Sequence, residues 1–62
     1  MSELDVIRGK IRERMNDISD AMTDGACKSY DHYRYACGVI EGLAHAERDI
    51  LDMKAAQEKQ ND

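Results

Sequence analysis

The sequence predicts an all-α fold, an antiparallel two-helix hairpin that assembles into a helical-bundle homo-oligomer. Three observations carry this. Proline is absent, and Ala, Glu, Lys, Arg and Met are abundant, a composition that favours helix over strand. Apolar residues recur at helical spacing on both sides of one break near Gly25, as two helices joined by a turn require. A chain of 62 residues makes one domain, 1–62, and buries only about 60% of the surface its unfolded form exposes, so association is an expected aid to stability.

The first helix is expected over about 2–23. Ser2 stands as its N-cap, with Glu3 and Asp5 in the first turn where the helix dipole favours carboxylates. Leu4, Ile7, Ile11, Met15, Ile18 and Met22 follow at steps of 3, 4, 4, 3 and 4 and share one face. Leu4 recurs as Met15, Ile7 as Ile18 and Ile11 as Met22. This eleven-residue repeat, about 3.67 residues per turn, predicts a nearly straight or slightly right-handed seam.

The turn is expected over about 24–28, where Gly25 suits a left-handed C-terminal cap. Ser29 can cap a second helix over about 29–58, roughly 45 Å of rod against roughly 33 Å for the first. Tyr33, Ala36, Cys37, Ile40, Leu43, Ala44 and Leu51 project as one apolar stripe, widened by Tyr35, Val39, Ala46, Ile50 and Met53. The expected hairpin core is Leu4, Ile7, Ile11, Met15, Ile18 and Met22 against Tyr33, Cys37, Ile40, Ala44 and Leu51. The apolar arc of the second helix exceeds what the narrow seam of the first can cover, and such surplus marks an interface. Residues from about 56 to 62 are polar and are expected to fray.

Gly38, Gly42 and Ala46 form a small-residue row. Mid-helix glycine costs about 1 kcal/mol relative to Ala, so a compensating close contact is expected. The expected oligomer interface is Tyr35, Gly38, Val39, Gly42, Ala46, Ile50 and Met53. Glu47 projects into the middle of the apolar arc, where an unpaired carboxylate is costly. Antiparallel folding brings Arg8 or Arg12 alongside it, so an ion pair such as Arg8–Glu47 is expected, with a structural role.

Nine basic against thirteen acidic residues give a net charge of −4, which argues against a non-specific nucleic-acid binder. Arg8, Lys10, Arg12 and Arg14 could still track a phosphate backbone, though Glu13, Asp17 and Asp20 interrupt them. Tyr30, His32 and Arg34 gather at the start of the second helix, where a nucleotide-like anion could bind between subunits. Tyrosines packing at a wet rim are the simpler reading, because no glycine-rich phosphate loop accompanies them.

Glu41, His45, Asp49 and Asp52 lie along one side of the second helix without the Glu-x-x-His or His-Glu-x-x-His spacing of a metal helix, so a solvated face is expected and no metal or cofactor. No Ser-His-Asp or Cys-His grouping suggests catalysis. Cys27 and Cys37 are expected as free thiols; on one helix they would stand roughly 15 Å apart, beyond disulfide reach. With no apolar leader at Met1–Lys10 and no run near the roughly 20 residues of a bilayer span, a reducing, cytoplasmic setting is expected and no membrane partner.

The run Tyr33-Arg34-Tyr35-Ala36-Cys37-Gly38-Val39-Ile40-Glu41-Gly42-Leu43-Ala44, followed by Ala46-Glu47-Arg48 and Ile50-Leu51, resembles a pattern in small tailed-phage proteins. The resemblance covers the second helix only. It implies a small phage-encoded accessory protein in the host cell, either associated with the virion or head assembly or acting as a factor that binds a host molecule. The partners expected are thus copies of the chain, from the surplus apolar arc, a larger phage assembly, from the resemblance, or a nucleotide-like ligand at the start of the second helix.

Overall fold

The computed structural model describes residues 2–25 and 27–60. They form two helices, α1 (Glu3–Thr23) and α2 (Tyr30–Gln60), which pack against each other. No strand occurs among the described residues.

Helix α1 starts at a capping box. The Asp5 backbone N–H donates to Ser2 Oγ at 3.3 Å, and the Ser2 backbone N–H donates to Asp5 Oδ2 at 3.2 Å, so donors that the helix leaves free find acceptors in each other's side chains. At the far end the Asp24 N–H reaches the Asp20 carbonyl at 2.9 Å and the Gly25 N–H reaches the Met22 carbonyl at 3.3 Å. Gly25 then reverses the chain at φ +85°, a left-handed conformation that costs a side chain energy and glycine nothing. Ser29 caps α2, its Oγ accepting from the His32 N–H at 3.1 Å and its carbonyl from the Tyr33 N–H at 3.0 Å.

Helix α2 is helical through Gln60, which corrects the expected fraying from about residue 56; residues 61 and 62 lie outside the described part. Lys54-Ala-Ala-Gln-Glu-Lys-Gln60 are all good helix formers, and Lys54 is tied across the hairpin to Asp5. The register set by Asp5–Lys54 and Arg12–Glu47 leaves the first turn and a half of α2 beyond the end of α1.

The seam between the helices differs from the predicted stripe by a small rotation of α2. Ala36 (8% exposed) and Glu47 (9%) are its buried residues, and Val39, Ile40, Leu43, Ala46, Ile50, Leu51 and Lys54 are half-buried around them. Val39, Ala46 and Ile50, expected at an intermolecular interface, thus lean partly on α1. Tyr33 (48% exposed), Ile7 (47%) and Ala44, expected in the core, stand at its edges. Two causes combine: the ion contacts draw Glu47 and Lys54 inward, and Tyr33 precedes the stretch of α2 that α1 covers. Leu4, Ile11, Met15, Ile18, Met22 and Cys37 are half-buried.

Candidate functional site

The two sides of this flat hairpin differ in chemistry. At 100° per residue, one flank of α2 carries Tyr35, Val39, Gly42, Ala46, Ile50 and Met53, beside Ile7, Ile18 and Ala21 of α1, with the charged Lys10, Arg14 and Asp17 along the α1 side. The other flank carries Tyr33, Cys37, Ala44 and Arg48, beside Asp5, Arg8 and Arg12. We call the first the apolar face and the second the bridged face.

Ion contacts cross the bridged face. Glu47 Oε2 lies 2.8 Å from Arg12 Nε and 3.5 Å from Arg8 Nε, so the carboxylate is neutralised by two guanidinium groups rather than one. Neither N–H is aimed at the oxygen, and Arg8 Nε and Glu47 Oε2 make no directed hydrogen bond. The attraction is that of close charges, with the arginine side chains about half in water (41% and 52% exposed) although Arg8 Nε itself is shielded. Nearer the helix ends the Lys54 ammonium grips Asp5. That hydrogen bond, followed by those from the Ser2 backbone and hydroxyl, lowers the Asp5 carboxyl from 3.8 to about 2. Tyr33, on the same flank, has its phenol raised above the ordinary 10.0 by the Cys37 side chain one turn on.

Shallow grooves run the length of the apolar face. Near the turn, Ile18, Ala21, Met22, Cys27, His32, Tyr35, Ala36 and Val39 line a groove of about 280 Å³. A second, lined by Arg14, Asp17, Ile18, Val39 and Leu43, shares Ile18 and Val39 with it. A third lies between Leu4, Ile7, Met53 and Gln57 at the other end. Tyr35 (72% exposed) and Met53 (52%) stand out from this face. An added Cβ at Gly38 or Gly42 would meet nothing within 4 Å, so no close approach within one chain accounts for either glycine.

The other sequence candidates do not converge within the chain. Tyr30 (71% exposed) and Arg34 project outward from the first turns of α2, while His32 turns into the groove beside Tyr35. Arg8 and Arg12 are engaged with Glu47, and Lys10 and Arg14 lie on the opposite flank, so the four basic residues do not form one stripe. His45 stands 3.7 Å from Glu41 and Arg48 3.4 Å from Asp52 along the outer side of α2. Among the described residues no group of three or more His, Cys, Asp or Glu side chains could hold a metal ion. Cys27 in the turn and Cys37 on α2 carry free thiols, both half-buried. Among the described residues no helix is long and apolar enough to cross a membrane.

Sequence reasoning missed the Asp5–Lys54 clamp and the central place of Ala36. A signal existed, since Ala36 and Lys54 are five whole turns apart and so share one side of α2. Lys54 was masked by its charge, which marked it as part of the polar tail.

Fold and site together define a two-helix hairpin with one open apolar face. No protein-family model, curated protein or solved structure matches the chain.

Proposed function

We propose that this chain is a non-enzymatic helical interaction protein that acts by laying its apolar face on another protein surface. The supporting observation is the surface it leaves uncovered. A globular protein of 7.0 kDa is expected to expose about 4,000 Å², whereas this hairpin exposes 5064 Å². Its radius of gyration, 14.8 Å, likewise exceeds the roughly 11 Å of a compact chain of this length. Only Ala36 and Glu47 are buried among the described residues, and no side chain is fully enclosed. One hairpin therefore gains little from hydrophobic burial, the main driving force of folding, and a partner that covers the open face supplies the rest. The resemblance of the α2 run to small tailed-phage proteins extends the proposal to docking on a larger phage assembly as an accessory component.

The test is thermal melting by circular dichroism across protein concentration, together with binding of a hydrophobic dye. The proposal expects a chain that at micromolar concentration melts low and binds dye, and that gains stability when its face is covered. A sharp, concentration-independent melt with no dye binding would exclude it.

A further inference from the structure

We propose that the partner on the apolar face is a second copy of this chain. The two copies are related by a two-fold axis parallel to the hairpin's long axis, so that both turns lie at one end and α1 of each covers α2 of the other. This rests on the interaction reading above and specifies its face, occupant and orientation.

Area is the first argument. The hairpin is a slab of 50 × 18 × 12 Å, so its broad face spans about 900 Å², close to the roughly 800 Å² that each partner contributes to a stable standard interface. The surplus of the chain over a globular protein of its mass, about 1,000 Å², is of the same size. One copy of the hairpin is therefore large enough to cover the other.

Chemistry selects between the two sides. The bridged face is occupied by the Arg8–Glu47–Arg12 contacts and the Asp5–Lys54 clamp, and burying these half-hydrated charges under a partner would cost desolvation. On the opposite side Ile18, Val39 and Met53 line grooves from the turn to the helix ends. There Gly42 and Ala46 keep the middle of α2 low enough for another helix to approach.

Charge selects the orientation. The register of the hairpin stands Lys10 level with Asp49 and Arg14 level with His45. All four are exposed; Lys10 and Asp49 stand at the outer borders of the apolar face, while Arg14 lines its groove. The parallel two-fold lays α1 of one copy on α2 of the other at the same height, so Lys10 meets Asp49 of the second copy, and the pair occurs twice. The reverse arrangement, with turns at opposite ends, stacks α1 on α1 and separates Lys10 from Asp49 of the second copy, so this attraction is lost.

Sedimentation equilibrium on the full chain tests this. The wild type should give twice the 7.0 kDa chain mass. Ala46→Glu, on the apolar face, should give a monomer, while Ala44→Glu, on the bridged face, leaves the dimer intact. Lys10→Glu should weaken the dimer roughly tenfold, and Lys10→Glu with Asp49→Lys should restore it, since two exposed pairs are reversed and then re-formed. Both sites are exposed, so the swap leaves the hairpin fold in place. Failure of the double variant to restore association overturns the orientation proposed. A mass that responds to Ala44→Glu but not to Ala46→Glu overturns the face and leaves the interaction reading standing. A wild type that stays monomeric at millimolar concentration while binding hydrophobic dye overturns the second copy alone; one that is monomeric, sharply melting and dye-free overturns the interaction reading as well.

Discussion

Removing the two arginines around Glu47 should cost far more than the sum of removing each. Glu47 is 9% exposed, with guanidinium nitrogens at 2.8 and 3.5 Å. At an effective dielectric near 20 these separations correspond to gross attractions of about 6 and about 5 kcal/mol, against a desolvation penalty of several kcal/mol for the carboxylate. Either arginine alone therefore offsets most of that penalty. Arg12→Ala and Arg8→Ala should each cost about 1 kcal/mol, part of it lost packing of the side-chain stem. The double variant leaves an unpaired carboxylate in the seam and should cost about 3–5 kcal/mol.

Urea denaturation followed by circular dichroism, at one fixed protein concentration, measures all three variants. Repeating the series in a Glu47→Leu background closes the cycle. There the arginine losses should shrink to their packing component, and Glu47→Leu itself should be neutral or stabilising. Costs that add within about 0.5 kcal/mol in the Glu47 chain would refute the shared-neutralisation argument.

Acid should loosen the open end of the hairpin through Asp5. Its carboxyl is held at about 2 in the folded chain against 3.8 ordinarily, so its contribution is complete above about pH 5 and is lost as the pH falls through 3.8 toward 2. Asp5→Asn should flatten that limb of the stability profile, and an unchanged acid slope would count against the Lys54 clamp. Gly25→Ala should destabilise by about 1–2 kcal/mol, because alanine must adopt φ +85° there. Gly38→Ala should stabilise by about 0.5–1 kcal/mol, since its Cβ would meet nothing within 4 Å and the helix gains a better former. A measured loss at Gly38 would mean that a neighbouring molecule occupies that space.

The helices, their caps and their break were legible in the sequence because they follow from local rules. Ser2 before Glu3 and Asp5, Gly25 after Met22, and Ser29 at the start of the second run each act within one turn of chain. An ion pair of Glu47 with Arg8 or Arg12 was also legible, because antiparallel folding of two rods leaves little choice about which turns meet; that both arginines converge on it was not. Periodicity places an apolar arc over more than half of α2, which is why the sequence predicts an uncovered face.

The rotation of α2 about its own axis was beyond the reach of periodicity. An arc that wide has no sharp centre, and a turn of a fraction of a residue exchanges Tyr33 and Ala44 for Val39, Ala46 and Ile50. Only the tertiary contacts break the tie. Glu47 must reach both arginines and Lys54 must reach Asp5 while Ala36 lets the backbones close in, and meeting all three conditions leaves one flank bridged by charges and the other open and apolar.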